Sequence, residues 1–167
     1  MGEIPFPAMQ TAFDGLLPKG LQWYWRGEYV HDLTDTAIET HLEHAAQMPG
    51  TLSLMHLYPI DGAVHRVGPG ETAWHERSAT WTMVIAGIDA DPTTAPALGA
   101  WAKRYWAAIH AGTGNGGYVN FMHGDGDPER LAATYGDNYA RLVALKQKYD
   151  PANFFHLNQN IPPVLVS

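Results

Sequence analysis

The stretch ATWTMVIAGID, residues 79–89, carries the clearest strand signal in the sequence. It is rich in the β-branched and aromatic residue types that favour extended chain, among them Trp81, Thr82, Val84 and Ile85. Two further strands are predicted upstream, over LQWYWRGEYV (21–30) and TLSLMHLYPI (51–60). Large side chains occupy both registers of residues 21–30, so we expect that strand to be covered on both faces.

Helical segments lie between and after these strands. Thr34 is a suitable N-cap for a helix that ends before Pro49-Gly50 and has the apolar stripe Ile38, Leu42 and Ala45. A second helix follows Asp91-Pro92, and its buried side is predicted at Leu98, Trp101, Tyr105 and Ile109. After a short fourth strand, YVNFM (118–122), a final helix is predicted with a long apolar side: Leu131, Tyr135, Tyr139, Leu142 and Leu145.

The order strand, helix, strand, strand, helix, strand predicts an α+β fold of the ferredoxin-like βαββαβ type, an antiparallel sheet with helices on one face. An extra C-terminal helix and an extended tail follow. We therefore divide the chain into an N-terminal arm (1–20), an α/β sandwich (21–148) and a C-terminal tail (149–167). The sheet face without helices is expected to be rich in Trp, Tyr and Met, and to meet a ligand, a partner or a second copy.

The composition excludes several classes of function. The 167 residues, 46% of them apolar, are enough for one domain with a real core, and there is no cysteine for disulfide or thiol chemistry. A net charge of −7 with only ten Lys and Arg residues argues against a nucleic-acid partner. No apolar run approaches the ~18 residues of a membrane span. We expect a cytoplasmic protein with no membrane partner.

Three polar motifs are superficially like metal or phosphate sites. GTGNGG (112–117) lacks the Lys-Ser/Thr of a phosphate loop and precedes a strand, so a turn is predicted. The first helix holds His41, Glu43 and His44, but not at the spacing of a zinc-protease motif. GDGDP (124–128) lacks the ligand spacing of a calcium loop, and Asp127 is predicted to be a helix cap. The sequence therefore predicts no metal site.

Two features are candidates for chemistry. The glycine-rich, charged segment 61–78 is long for a hairpin loop, which is typical of functional loops. Tyr118 and Asn120 would share one face of the predicted fourth strand. On a core face both side chains would need hydrogen-bond partners, whereas on an open face the phenol could exchange a proton with a substrate hydroxyl. The spacing leaves both alternatives open.

Several motifs together resemble the C-terminal region of the berberine bridge enzyme-like FAD-linked oxidases of the vanillyl-alcohol oxidase superfamily. The most specific are YVNF (118–121), YGDNYARLVALKQKYDP (135–151) and NFFHLNQNIPP (153–163). The resemblance extends upstream over DGAVHRVGPGETAWHERSATW (61–81) and PFPAMQTAFDGLLPKGLQWYWR (5–26). It thus covers essentially the whole chain.

The resemblance implies an FAD cofactor held by a separate domain, with this sheet roofing the flavin and the tail crossing back to that domain. It implies that Tyr118 deprotonates a substrate alcohol and that three asparagines lie near the cofactor: Asn120, Asn158 and Asn160. Trp81, Met83 and Val84 match the strand that faces the substrate. The sequence contains no glycine-rich dinucleotide segment. The chain is then a fragment, one subunit of a split oxidase, or a standalone domain.

We therefore expect the substrate-binding part of an FAD-dependent oxidoreductase that oxidises an alcohol, sugar or secondary-metabolite hydroxyl with oxygen as acceptor. The isolated chain is expected to be inactive without an FAD-binding domain. The alternative is a non-catalytic module that binds a small ligand or forms a homodimer. A third hypothesis, a cofactor-free oxygenase, rests on analogy of fold alone.

Overall fold

The fold is centred on a three-stranded antiparallel sheet. The computed structural model describes residues 2–12, 14–16, 18–110, 116–124 and 128–164. The strands are β1 (Gln22–Val30), β2 (Leu54–Pro59) and β3 (Trp81–Asp89), in the spatial order β1-β3-β2. Gly27 of β1 and His56 of β2 both lie opposite Val84 of β3. The stretch with the clearest strand signal is therefore the central strand.

The described ranges contain five helices, two of which lie on one face of the sheet. They are α1 (Phe6–Gln10), α2 (Asp35–Ala45), α3 (Ala95–His110), α4 (Pro128–Tyr135) and α5 (Tyr139–Tyr149). Short 3₁₀ turns lie at Asp14–Leu16, Val64–Arg66, Pro92–Thr94, Val119–Phe121 and Gly136–Asn138. No helix in the described ranges is long and apolar enough to span a membrane.

Helix α3 forms the main core against the sheet. All four positions predicted for its buried side are buried: Leu98, Trp101, Tyr105 and Ile109. Trp101, Tyr105 and Ile109 pack in one cluster with Met83 and Ile85, whose exposure is 0%. The helix lies so close to β3 that a Cβ atom at Gly87 would be 2.9 Å from the Cβ of Leu98. This part of the prediction is confirmed.

Helix α2 begins at the predicted residue, but the side of the helix that is buried is not the predicted one. The Thr34 side chain accepts a hydrogen bond of 3.2 Å from the Ala37 N–H. The predicted apolar stripe is wrong, because Ile38 and Leu42 are 44% and 67% exposed. The buried residue of α2 is instead His41, which forms a 2.7 Å hydrogen bond through Nδ1 with the hydroxyl of Tyr105.

The buried imidazole of His41 predicts acid sensitivity. Burial, and then the neighbouring His44, lower the pKa of His41 below its usual range. The folded state therefore keeps this ring neutral, whereas the unfolded state binds a proton below about pH 6.5. Unfolding free energy should be lost as pH falls through that value, at a slope of at most about 1.4 kcal/mol per pH unit from this residue. Urea titrations between pH 5 and 8 measure this, and His41→Phe should flatten the profile whereas His156→Ala in the tail should not.

The predicted fourth strand does not form. Residues Val119–Phe121 make a 3₁₀ turn, in which the Phe121 N–H donates to the Tyr118 carbonyl at 2.8 Å. The segment crosses β1 instead of pairing with it, since Gly27 has no side chain and Phe121 fills that space. A Cβ atom at Gly27 would lie 2.5 Å from the Phe121 Cβ. The α+β class is confirmed, and the complete ferredoxin-like βαββαβ order is wrong in its last strand.

The predicted single final helix is divided in two at Gly136. This residue has a φ of +49°, a conformation that glycine adopts readily, and helix α4 ends just before it. The ring of His75 packs against the break, where a Cβ atom would lie 2.5 Å from His75 Cδ2. The turn predicted for GTGNGG and the Asp127 cap lie largely outside the described residues. The boundaries of the arm, sandwich and tail stay a prediction.

Candidate functional site

The candidate site lies on the sheet face that α3 does not cover. Because side chains alternate along a strand, Tyr29 of β1 points away from the helix-side neighbours Glu28 and Val30. Tyr29 is 5% exposed and packs with Ile60 and Ala79. The partly buried residues around this second cluster are Val64, Trp74 and Tyr118. The long loop predicted to be functional thus covers the open face.

A cavity of about 190 Å³ opens within this cluster. Its walls are mostly aromatic and come from β1, the loop, the 3₁₀ turn and α4: Tyr29, Ala73, Trp74, Tyr118, Val119, Thr134 and Tyr135. The Tyr118 ring lies 5.6 Å from the Trp74 ring and meets Phe121 edge-on at 5.1 Å, measured between centroids. The arrangement offers flat apolar walls with hydroxyl groups between them.

Tyr118 and Asn120 meet, as their spacing predicted, although a 3₁₀ turn rather than a strand joins them. Asn120 Nδ2 donates to the Tyr118 hydroxyl oxygen at 2.7 Å. A donor at this oxygen stabilises negative charge there. Burial raises the pKa of Tyr29 above its usual range and also raises the pKa of Tyr135. Those two cavity phenols therefore stay protonated at neutral pH.

The three residues predicted on β3 lie on different faces of the sheet. Met83 is fully buried in the helix-side core, and Trp81 packs against the same core. Val84, opposite Gly27, faces the candidate site. The sequence predicted all three residues at the substrate because they lie on one strand. Side chains alternate between the two faces of a strand, so Val84 is on the opposite face from the other two. Trp81 and Met83 therefore face away from Tyr118.

The tail reaches the segment that carries Tyr118. Gln159 Nε2 donates to the Met122 carbonyl at 2.8 Å. On either side of it, Asn158 has a φ of +58° and its carbonyl accepts the Asn160 N–H at 3.0 Å. The tail is thus tied to Met122, the residue that follows the 3₁₀ turn containing Asn120. Gln159, which makes this contact, belongs to the motif at residues 153–163, but the sequence predicted only the neighbouring asparagines as site residues.

Arg77 was not predicted as a site residue, yet it organises the loop wall. Its Nε donates to the Trp74 carbonyl at 3.2 Å, its Nη1 donates to the Val64 carbonyl at 3.3 Å, and its Nη2 donates to the Thr72 hydroxyl. Its guanidinium also lies 5.2 Å from the centroid of the Trp74 ring. The only sequence signal for this role is an arginine just before a strand.

Substituting Arg77 with lysine should loosen the loop without unfolding the chain. Lysine lacks the planar guanidinium whose separate N–H groups donate in different directions. Hydrogen bonds of charged groups contribute about 1.5–3 kcal/mol each. Opening of the loop should therefore become at least about tenfold more frequent. The rate of trypsin cleavage after Arg66, which is exposed in the same loop, measures this. Arg104→Lys on exposed α3 surface is the control, and an unchanged cleavage rate in Arg77→Lys would contradict the assignment.

A buried carboxylate lies beneath the site on the helix side. Glu28 has 0% exposure, and its Oε2 accepts from the Trp106 indole at 3.0 Å and meets His110 Nδ1 at 2.5 Å. Its Oε1 accepts the N–H of Tyr29 at 3.1 Å, which links this cluster to a cavity residue. No group of three or more potential metal ligands occurs in the described ranges.

Comparisons with known proteins agree with this geometry. The family model "Berberine and berberine like" matches residues 117–162, which include Tyr118, Asn120 and the tail. An FAD-linked oxidoreductase of Dictyostelium discoideum is 26% identical over 163 residues, 96% of this chain and 35% of that protein. The uncharacterized FAD-linked oxidoreductase YgaK of Bacillus subtilis is 32% identical over 139 residues, 79% of this chain and 29% of that protein.

A solved structure shows the same architecture. Glycopeptide hexose oxidase DBV29, in complex with teicoplanin, superposes with a TM-score of 0.75 at 27% identity, over 84% of this chain and 32% of that one. The chain spans about a third of the length of the relatives it matches. The predicted family resemblance is confirmed, as is FAD as the cofactor that the resemblance implies.

Proposed function

We propose that this chain, which resembles the C-terminal third of the berberine bridge enzyme-like FAD-linked oxidoreductases, is the substrate-binding part of such an enzyme. The substrate is an alcohol, a sugar or a secondary-metabolite hydroxyl, and oxygen is the final acceptor. The observation that carries the proposal is the Tyr118 phenol, held by the Asn120 amide at 2.7 Å in an aromatic cavity on the sheet face that α3 does not cover.

The residues of the cavity suit binding and proton transfer. Trp74 and Tyr118 present flat faces against which a sugar or aromatic ring can stack. Tyr118 Oη is the atom that would exchange a proton with the substrate hydroxyl, and the Asn120 amide, which donates to that oxygen, would fix its position. When bound, FAD supplies the acceptor for the hydride that leaves the adjacent carbon.

The amide side chains of this region are suited to the flavin ring of FAD. Two amide side chains, Asn120 and Gln159, make hydrogen bonds in the Tyr118 segment, and the sequence adds Asn158 and Asn160 on either side of Gln159. Amides match the carbonyl groups and ring nitrogens of a flavin. The described residues contain no glycine-rich strand–loop–helix unit of the kind that binds a pyrophosphate. The proposed division is therefore that this chain meets the ring and a separate part binds the dinucleotide.

The tail is built as a contact surface for that separate part. Four large apolar side chains of residues 149–157 are 73–82% exposed: Tyr149, Phe154, Phe155 and Leu157. Their backbone is nevertheless held, because the Asp150 carboxylate accepts the N–H groups of Phe154 at 2.7 Å and Phe155 at 3.0 Å. Lys146 donates to Asp150 at 2.5 Å and also to the Phe155 carbonyl. Exposed apolar side chains on a preorganised backbone are typical of a protein interface.

Removal of the Asp150 carboxylate tests the role of this surface. Asp150→Ala should weaken docking to the FAD-bearing part by about tenfold, because the free tail must then be ordered on binding. Lys146, the largest cause, and the two backbone N–H groups hold the pKa of Asp150 below its usual range, so the contact should persist at mildly acidic pH. The control is Gln147→Ala on the exposed side of α5. Equal affinity of the two variants, measured by calorimetry, would rule out a docking role for the ordered tail.

Reconstitution tests the function itself. The probe is the part of Bacillus subtilis YgaK outside the segment that matches this chain, purified with FAD. We expect the isolated chain to be colourless and the mixture to co-elute with flavin absorbance. Alcohols or reducing sugars should then bleach the flavin under anaerobic conditions. Flavin absorbance on the isolated chain would contradict the two-part arrangement, and a complex that no such substrate reduces would contradict the catalytic assignment.

A further inference from the structure

We propose that Thr134 of α4 is a positioning residue of the site, whose hydroxyl fixes the turn that carries Tyr118 against the cavity wall. Thr134 takes no part in the proton transfer itself. This inference rests on the proposed function, because it concerns the reaction assigned to Tyr118. The same contact accounts for the two glycines that end GTGNGG (112–117), a motif for which the sequence predicted only a turn.

The Thr134 side chain contacts the Tyr118 segment on both sides of the turn. Thr134 is 4% exposed, and its Oγ1 accepts the N–H of Gly117, the residue before Tyr118, at 3.2 Å. The same oxygen lies 3.3 Å from the sulfur of Met122, the residue that follows the 3₁₀ turn. One buried hydroxyl of α4 is thus next to both ends of the segment that presents the phenol.

The hydrogen bonds of this hydroxyl show what its loss would change. A threonine hydroxyl has one hydrogen to donate and two lone pairs that accept. The Thr134 hydroxyl donates to the Arg130 carbonyl at 2.9 Å, one helical turn back, so a lone pair remains for the Gly117 N–H. Gly117 is buried, and among the described residues its N–H has no other acceptor. Without the Thr134 oxygen this N–H would be unsatisfied, and the turn would shift to bring it to water.

Two glycines let the backbone approach α4 this closely. A Cβ atom at Gly116 would lie 3.0 Å from the Thr134 Cα. A Cβ atom at Gly117 would lie 2.8 Å from Arg130 Nη2, which belongs to the same helix. The backbone just before Tyr118 therefore fits against α4 with no room for a side chain, so this helix determines where the turn begins.

The hydrogen bond between Asn120 and Tyr118 does not supply such an anchor. Both residues belong to one short segment, so their 2.7 Å hydrogen bond moves with that segment and does not fix it relative to the cavity. Thr134, in contrast, lines the cavity and belongs to a separate helix. A displacement of about 1 Å between reacting groups costs about 100-fold in rate, so the phenol needs an anchor outside its own turn.

A matched pair of variants separates the Thr134 hydroxyl from the shape of the side chain. Thr134→Val keeps the branched shape and removes the hydroxyl, whereas Thr134→Ser keeps the hydroxyl and removes the methyl group. The first measurement uses the chain alone and follows the nuclear Overhauser effect between the rings of Tyr118 and Trp74, whose centroids lie 5.6 Å apart. We expect this signal to weaken in Thr134→Val and to match wild type in Thr134→Ser.

The second measurement is turnover of an alcohol or reducing sugar by the assembly with the FAD-loaded remainder of YgaK. Thr134→Val should lower kcat by about 10–100-fold and keep KM within about threefold of wild type, because the anchor acts on the reacting geometry and not on substrate affinity. Thr134→Ser should restore most of the rate. The control is Val143→Ala, at a buried position of α5 that does not line the cavity. It should lower the urea midpoint and leave the ring contact and the rate unchanged.

Four outcomes would overturn this role of Thr134. An unchanged ring contact and rate in Thr134→Val would show that the hydroxyl positions nothing. A Thr134→Ser variant as slow as Thr134→Val would assign the effect to the methyl group. A raised KM with unchanged kcat would assign it to substrate binding, and an equal loss of rate in Val143→Ala would assign it to general stability.

Two further measurements separate the role of Thr134 from folding and from the proposed function. If Thr134→Val does not fold, hydrogen exchange of the Gly117 amide in the wild-type chain decides. Slow exchange supports its bond to Thr134, and exchange at the rate of an unstructured amide excludes that bond. If no alcohol or sugar reduces the wild-type assembly, the proposed function fails, and the ring contact in the isolated variants still shows whether Thr134 positions Tyr118.

Discussion

Replacing Glu28 with alanine is expected to lower the free energy of unfolding by about 3–5 kcal/mol, because it removes a fully buried polar group on which several hydrogen bonds converge. The carboxylate has no exposure, and its loss leaves the Trp106 indole, His110 and the Tyr29 N–H without their common acceptor. Because these groups belong to α3 and β1, the substitution weakens the main contact between helix and sheet. Urea unfolding at neutral pH, read from the shift of the midpoint, measures the loss.

Two further variants keep this prediction testable if Glu28→Ala does not fold. Glu28→Gln retains the shape and one acceptor oxygen, so it should lose less than the alanine variant. Glu43→Ala, on exposed α2 surface, should change stability by no more than about 0.5 kcal/mol. A loss below about 1 kcal/mol for both Glu28 variants would show that the buried carboxylate does not hold α3 against β1.

Replacing Tyr118 with phenylalanine is expected to slow flavin reduction in the reconstituted assembly by about 10²–10⁴-fold, the usual contribution of a general base. Phenylalanine keeps the ring contacts with Trp74 and Phe121, so docking and the fold should be unaffected. The substitution removes only the Tyr118 hydroxyl, which is the group proposed to take part in proton transfer with the substrate. Anaerobic bleaching of the flavin by an alcohol or reducing sugar gives the rate.

Tyr58→Phe is the matched control for that measurement. Tyr58 lies on the same face of the sheet and contacts Phe121 at 5.4 Å, but its hydroxyl bonds to His56 and does not line the cavity. Its loss should change the rate by less than about threefold. If Tyr118→Phe behaves like Tyr58→Phe, then the proton acceptor is a different group and the role proposed for Tyr118 is wrong.

The features predicted well from the sequence are those set by local patterns. The buried side of α3 follows from helical spacing, and the Thr34 cap needs only the residues three positions away. The failures come from contacts between distant residues. Phe121 crosses Gly27 instead of extending the sheet, and His75 packs where α4 would otherwise continue through Gly136. Neither contact has a signal in the neighbouring sequence.

The candidate site shows the same division. Tyr118 and Asn120 are close because two residues separate them, a spacing that brings side chains together in the observed turn as well as in the predicted strand. The sequence grouped Val84 with Trp81 and Met83, and only the pairing of Val84 with Gly27 shows which face of the sheet its side chain is on. Trp74 and Arg77 belong to a loop that was predicted to be functional from its length, but their contacts depend on the folded loop.

The most direct test of the account is peptide-level hydrogen exchange of the wild-type chain with and without the FAD-loaded remainder of YgaK. If the sheet face opposite α3 roofs a flavin, residues 116–122 and 149–160 gain protection together, and the outer surfaces of α2 and α3 exchange as before. Protection confined to α2 and α3, with the Tyr118 segment and the tail unchanged, would place the partner on the opposite side of the sheet and contradict the account.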